Sequence, residues 1–247
     1  MSALLYIVSA PSGSGKSTLT NELLRLVPRL QFSVSYTTRL PRGSEQNGRE
    51  YCFITREEFE HMIAAGEFLE YANVFGDYYG TARHFLQQAE AAGNDLVLDI
   101  DVQGAAQVKQ RMPQAVSIFL LPPSRDELAA RLRRRSESEK QVETGARCRS
   151  DEERNRIIQK RLQAAAKEIE NYRTYDYILV NDQLDQSIER LKAIVLAERL
   201  KRLGKEFSSA DRQVLQVAES CLLPNVREKV HEILDSFIAS SHSRSSG

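Results

Sequence analysis

The chain has 247 residues, 41% of them hydrophobic and 28% charged, and its 34 lysines and arginines are balanced by 34 aspartates and glutamates. That composition suits a globular protein with one enlarged core or a core with appendages, and the even charge excludes binding to nucleic acid or an anionic membrane through bulk positive charge. Cys52, Cys148 and Cys221 lack CxxC or Cys/His ligand spacing, and the N-terminus has no basic region ahead of its short apolar run; the expectation is a cytoplasmic protein with free thiols, no disulfide framework, no zinc site and no membrane segment.

The apolar run Leu4 to Ser9 predicts a buried strand, and Thr18 to Val27 predicts a helix. Between them stands APSGSGKS, Ala10 to Ser17, the setting of a phosphate-binding loop. Gly13 and Gly15 let successive backbone N–H groups turn inward around an anion, and the positive end of the following helix adds to that field. Lys16 can reach the β and γ phosphates of a nucleoside triphosphate, and the Ser17 hydroxyl can ligate magnesium. The expected triphosphate site is therefore Ala10, Pro11, Ser12, Gly13, Ser14, Gly15, Lys16, Ser17 and Thr18. Ala10 departs from the strict pattern, which has glycine there; a methyl group is the smallest intrusion, so the turn is expected in a conformation that alanine tolerates. The plain alternative is a Gly/Ser turn joining strand to helix.

Ser33 to Thr81 interrupts the strand and helix alternation and is rich in tyrosine, glycine and charge. Arg39 and Arg42 straddle Pro41, and with the phenols of Tyr51 and Tyr79 they form a fork suited to a phosphate monoester. Glu70, Ser35 and Thr81 add acceptors and hydroxyls. A carboxylate that accepts two parallel N–H bonds matches the N1–H and exocyclic amine of guanine. A solvated surface loop with a turn at Pro41 is the competing reading.

Asp95 to Ile100 predicts a second buried strand, Phe85 to Ala92 and Gln103 to Gln110 predict helices on either side of it, and LVLDIDVQG covers Leu96 to Gly104. A strand ending in Asp99 and Asp101 would place both carboxylates on one face. Asp99 would hold magnesium-bound water, and Asp101 would accept from a substrate amine; capping of the following helix is the structural alternative for one of them. Ala115 to Leu121 and Tyr177 to Val180 complete the apolar strands, with a helix from Arg125 to Arg135 between them. The βαβα pattern predicts a doubly wound parallel α/β sheet, whose ligands bind at the carboxyl ends of its strands. Arg131 to Arg161 is arginine-rich, and beyond Phe207 the apolar positions Val214, Val217, Cys221 and Leu222, then Val226, Val230, Ile233, Leu234 and Phe237, predict two amphipathic helices around Pro224, docked on the core or at a subunit interface.

Together, APSGSGKS, FSVSYTTRLPRGSEQNGREYCFI, GEFLEYANVFGDYYGT, LVLDIDVQG and YILVND, in this order and spacing from about Leu4 to Leu203, resemble the guanylate kinase family. The resemblance implies a P-loop NTPase core (1–34, 82–125 and 166–204), an inserted GMP-binding domain (35–81), a lid (126–165) and, past the family pattern, a helical C-terminal extension (205–247). It implies ATP and GMP as substrates, with dGMP as a further acceptor, and Mg2+ with ATP as cofactor, held by Ser17 and, through water, by Asp99. Ser35, Glu70, Thr81 and Asp101 would read guanine. Arg39, Arg42, Tyr51 and Tyr79 would hold the GMP phosphate, Glu45 would orient an arginine, and Asn181 would lie near the adenine end of ATP. Lys16, Arg39, Asp99 and the lid arginines Arg131, Arg135 and Arg161 are the expected catalytic set. The lid departs from the family: Ser136 to Arg156 is longer and contains Arg147, Arg149 and Arg154, for which an extended solvated helix with Glu/Arg pairs is the expectation. A phosphopeptide-binding module of the same fold and a P-loop kinase with another acceptor are the competing functions. Oligomeric state stays open.

Overall fold

A computed structural model describes residues 3–43, 45–74, 76–142, 150–204 and 206–242. In chain order the elements are β1 (Leu5–Ser9), α1 (Lys16–Leu26), β2 (Leu30–Phe32), β3 (Tyr36–Thr37), β4 (Cys52–Phe53), α2 (Arg56–Ala64), β5 (Phe68–Val74), β6 (Asp77–Ala82), α3 (Arg83–Ala92), β7 (Asp95–Asp99), α4 (Val102–Arg111), β8 (Val116–Leu121), α5 (Arg125–Val142), α6 (Asp151–Ile169), β9 (Tyr177–Val180), α7 (Leu184–Leu203), α8 (Ser209–Glu219) and α9 (Leu223–His242). The larger sheet has the order β2-β7-β1-β8-β9. Its pairings of β7 with β1 and β2 are parallel, with Leu5 opposite Leu96 and Leu30 opposite Asp95. β1, β8 and β9 are buried along their whole length, which is why they read as continuous apolar runs rather than as alternations.

The chain forms two compact units, Met1–Ser9 with Thr20–Ile118, and Ala10–Leu19 with Phe119–Gly247. The first unit holds β1, β2 and β7 and a second sheet of order β4-β3-β6-β5. Short strands such as β3 and β4 carry few ladder bonds, so this sheet depends on its apolar face. There Phe59 of α2 stacks on Phe68 with ring centroids 4.4 Å apart and on Tyr78 at 5.1 Å, beside Ala82, Tyr36, Ile54 and Met62. Thr55 and Glu58 close a capping box that starts α2.

In the second unit the amphipathic tail forms α8 and α9 as its periodicity predicts. α8 packs on α7, and α9 packs on α5, α6 and β9. Cys221, Val230, Ile233 and Phe237 are buried, and Ile178 N–H donates to the Cys221 carbonyl at 2.8 Å. Within this unit the tail is thus docked on its neighbours. The expectation of one extended solvated helix over 136–156 needs correction. The segment belongs to two helices, and Arg154 is 6% exposed, its guanidinium donating to the Ser136 carbonyl at 2.8 Å. A buried guanidinium must find acceptors, so Arg154 ties α6 to α5 instead of decorating a surface. Arg147 and Arg149 lie outside the described residues. Among the described residues no helix is long and apolar enough to cross a membrane.

Candidate active site

The phosphate loop closes on itself before α1. Ser14 N–H donates to the Pro11 carbonyl at 3.1 Å, and Gly13 and Gly15 take φ of +94° and +91°, a region closed to residues with a Cβ. Space is as restrictive as conformation: a Cβ on Gly13 would come within 2.9 Å of Leu132, and one on Gly15 within 2.4 Å of the Asn181 amide. Among the described residues the only non-glycine with positive φ is Arg29, so Ala10 sits at negative φ and the departure from glycine costs no backbone strain. Lys16 and Ser17 open α1, where the positive end of the helix dipole favours an anion.

Asn181 and Arg131 brace this loop. Asn181 Nδ2 donates to the Ser14 carbonyl at 2.7 Å. Arg131 donates to the Asn181 carbonyl at 3.0 Å and to the Ser14 carbonyl at 3.4 Å, and its Nε is held by Glu127 at 2.9 Å, one turn back along α5. Arg135 is exposed one turn further along α5, and Arg161 is half-buried on α6. Next to Asn181, Asp182 accepts from Lys229 of α9 at 2.6 Å. Burial works against its negative charge, but the Lys229 ammonium and the Gln183 amide outweigh it and hold the carboxyl below its ordinary range.

In the first unit the expected fork is unequal. Arg39 is 8% exposed and bonded through all three of its side-chain nitrogens. It donates to both Glu45 oxygens at 2.7 and 3.0 Å, to the Tyr79 hydroxyl at 3.1 Å and to the Leu40 carbonyl at 2.8 Å. Its guanidinium carbon lies 5.1 Å from the centre of the Tyr51 ring. Burial alone would favour the neutral form, but the Glu45 and Tyr79 bonds outweigh it and fix the positive charge. Glu45 is held low first by the Arg39 bond and also by the Arg42 amide. The Arg42 side chain is exposed; only its backbone N–H joins the cluster, at 2.7 Å from Glu45. Burial pushes the Tyr51 phenol up, and the negative charge of Asp99 adds to the rise.

A second cluster surrounds Glu70, which is 3% exposed and pairs across the ladder with fully buried Thr81. Burial pushes its carboxyl up to about 7; neighbouring Thr81 and the Arg111 charge pull it down, while Asp101 adds to the rise. Ser35 is buried just before β3. The expected placement of Asp101 needs correction. β7 ends at Asp99, and Asp101 is the N-cap of α4, accepting from Gly104 N–H at 2.8 Å. One Asp101 oxygen therefore caps the start of a helix, and the pair of aspartates does not share a strand. Gly104, Gln107, Glu127 and Lys229 were not expected in the site. Glu127, at i,i+4 from Arg131, left a signal in the sequence, and Gly104 appeared there only as the last residue of LVLDIDVQG.

Among the described residues no cluster of three His, Cys, Asp or Glu side chains makes a ready metal site. The Ser17 hydroxyl and the Asp99 carboxylate are each hard oxygen donors, of a kind that suits magnesium and not a softer metal.

A glycine cradle between a buried parallel strand and a helix, with a separate buried arginine cluster on an inserted sheet, defines a P-loop NTPase fold of the phosphotransferase type. The guanylate kinase family model matches residues 2–198, and the chain belongs to the guanylate kinase family. It is 57% identical over 237 residues to the guanylate kinase of Koribacter versatilis (strain Ellin345), covering 96% of this chain and 97% of that protein. It is 48% identical over 199 residues to the guanylate kinase of Escherichia coli (strain K12), covering 80% of this chain and 89% of that protein. The crystal structure of guanylate kinase from Anaplasma phagocytophilum superposes with a TM-score of 0.62 at 34% identity, over 79% of this chain and 86% of that one.

Proposed function

We propose that the chain is a cytoplasmic ATP:GMP phosphotransferase, forming ADP and GDP by direct in-line transfer. The observation that carries the acceptor assignment is Arg39, buried and locked by Glu45 and Tyr79, in the same unit as the buried carboxylate of Glu70. One binds a phosphate monoester and the other a base that offers two adjacent N–H groups. Residues 35–81 act as the GMP-binding domain and residues 126–165 as the lid over the phosphate loop, with the core and the C-terminal extension as expected from the sequence.

Ser35, Glu70, Thr81 and Asp101 read guanine; Arg39, Arg42, Tyr51 and Tyr79 hold its phosphate. Arg39 has a fixed geometry because Glu45 has already organised it, so little ordering entropy is lost when phosphate binds. Arg42, exposed, adds charge by reaching inward. An oxygen of the GMP phosphate attacks the γ phosphorus, the bond to the β,γ-bridging oxygen breaks, and its electron pair leaves with ADP. The attacking oxygen is already ionised, so the protein needs no general base. Lys16 and the lid arginines Arg131, Arg135 and Arg161 neutralise charge on the migrating group, and Asn181 supports the adenine end. Magnesium, held by Ser17 and through water by Asp99, would supply further charge neutralisation on the β and γ phosphates. Lid closure over the loop excludes water as a rival acceptor.

ADP formation from ATP, followed with GMP, dGMP, AMP, CMP and UMP as separate acceptors, tests the reading. GMP should support turnover, dGMP should substitute for it, and AMP should be poor. ATP turnover that ignores the added monophosphate would overturn it.

A further inference from the structure

β5 is the last strand of its sheet, so one edge of it has no strand partner. α4 lies along it and touches four consecutive residues around the guanine reader. Gln107 completes the edge as a strand would, accepting from Tyr71 N–H at 3.3 Å and donating to the Tyr71 carbonyl at 2.7 Å. Arg111 donates to the carbonyls of Phe68 and Leu69. Those carbonyls flank an irregularity: Phe68 pairs with Ala82 and Glu70 with Thr81, so the register shifts between them. A bulge of this kind re-aims the side chain beside it. The third contact is steric, because a Cβ on Gly104 would lie 2.5 Å from Glu70 Oε2 and 3.0 Å from its Cδ.

Positions 104, 107 and 111 are spaced by three and four residues and so share one face of the helix. The start of that face is fixed by the Asp101 cap on Gly104. We propose that Gly104, Gln107 and Arg111 are positioning residues for base recognition. Gln107 and Arg111 hold the bulged edge of β5, and the missing side chain at Gly104 sets how far the Glu70 carboxylate recedes. This rests on Glu70 being the guanine reader.

The geometry makes Gly104→Ala a selective probe. Alanine is favoured over glycine within a helix, and the atom it meets is the end of a flexible side chain, so the fold yields by moving the carboxylate. In the full chain, Gly104→Ala should raise KM for GMP about tenfold, lower the preference for GMP over AMP, and change KM for ATP by less than about twofold. On a Glu70→Asp background, where the shorter side chain leaves room, the same substitution should add less than about twofold, a direct sign of coupling. Gln107→Leu, which removes both edge bonds, should move KM for GMP in the same direction. Unchanged KM for GMP in Gly104→Ala, an equal rise in KM for ATP, or the same cost on both backgrounds would overturn the proposal. A wild-type enzyme with no preference for GMP over AMP would instead refute the reading of Glu70 on which it stands.

Discussion

Arg39 and Glu70 belong to the same small sheet region and are both nearly inaccessible to water, yet their surroundings treat charge in opposite ways. Arg39 has Glu45 on both of its terminal nitrogens, Tyr79 on its Nε and an aromatic ring nearby, and its charge is favoured despite burial. Glu70 has burial and the neighbouring Asp101 against it, and its carboxyl rises to about 7. A phosphate holder that is pre-paired in this way gives affinity at little reorganisation cost. A base reader left short of compensation gains most when a ligand offers the missing donors, and that differential is what selectivity requires. Affinity for the phosphate and choice of base should therefore respond to different substitutions.

Lys16→Ala is expected to have the largest effect and to remove the chemistry beneath both functions. Turnover should fall by about a thousandfold or more with every acceptor, because in the proposed mechanism the transferred group loses the positive charge of the phosphate-loop lysine. Circular dichroism and melting temperature should stay near wild type. A rate within tenfold of wild type would mean that Lys16 has another role.

Arg39→Lys comes next, at about a hundredfold loss in kcat/KM for GMP. Lysine keeps the charge but cannot reach both Glu45 oxygens, Tyr79 and a phosphate with one planar fork. The loss should be equal for GMP and AMP, so their ratio should hold. Glu70→Gln should behave in the reverse manner. Its kcat/KM for GMP should fall roughly 10- to 100-fold while AMP is nearly untouched, since an amide offers one acceptor and one donor where guanine needs two acceptors. If the GMP-to-AMP ratio collapses in Arg39→Lys or survives in Glu70→Gln, affinity and selectivity are not divided between these two side chains.

The two regions were also unequally legible in the sequence. The phosphate loop, the four long apolar strands and the tail helices follow from local periodicity and glycine spacing, which depend on near neighbours in the chain. The Arg39 cluster was half legible: the two arginines beside Pro41 and the two tyrosines are visible in the sequence, but the unequal burial of the arginines is not, because it depends on Tyr79, forty residues from Arg39. Asp101 looked like a strand residue since period-two spacing from Asp99 fits a strand as well as a cap, and only the hydrogen bond to Gly104 decides. Gly104 closes the LVLDIDVQG motif, but nothing in the sequence ties it to Glu70. Its importance comes from Glu70 on a different element, and closeness of that kind is a tertiary fact. Arg154 shows the same limit: in the sequence it matches its exposed neighbours, and its burial follows from the approach of α5.

The smallest expected effect is thermodynamic, and it separates the two clusters without any substrate. Glu70 has an ordinary carboxyl value of 4.5 when unfolded and about 7 in the fold. Between those values the folded protein holds a proton that the unfolded chain has released, so folding stability falls as pH rises through this window and levels off above about 7. The whole difference corresponds to at most on the order of 3 kcal/mol, and relaxation around the carboxylate reduces it. Gln at this position cannot ionise. Glu70→Gln should therefore be more stable than wild type by roughly 1–2 kcal/mol at pH 8, with the gap shrinking at pH 5, where the wild-type carboxyl is largely protonated in the fold. Arg39→Lys should show no such dependence, because both cations stay protonated at either pH. Melting temperatures of the three proteins at the two pH values test this. A gap between Glu70→Gln and wild type that is the same at both would mean that the buried carboxylate is already compensated, and the contrast with Arg39 would then rest on geometry alone.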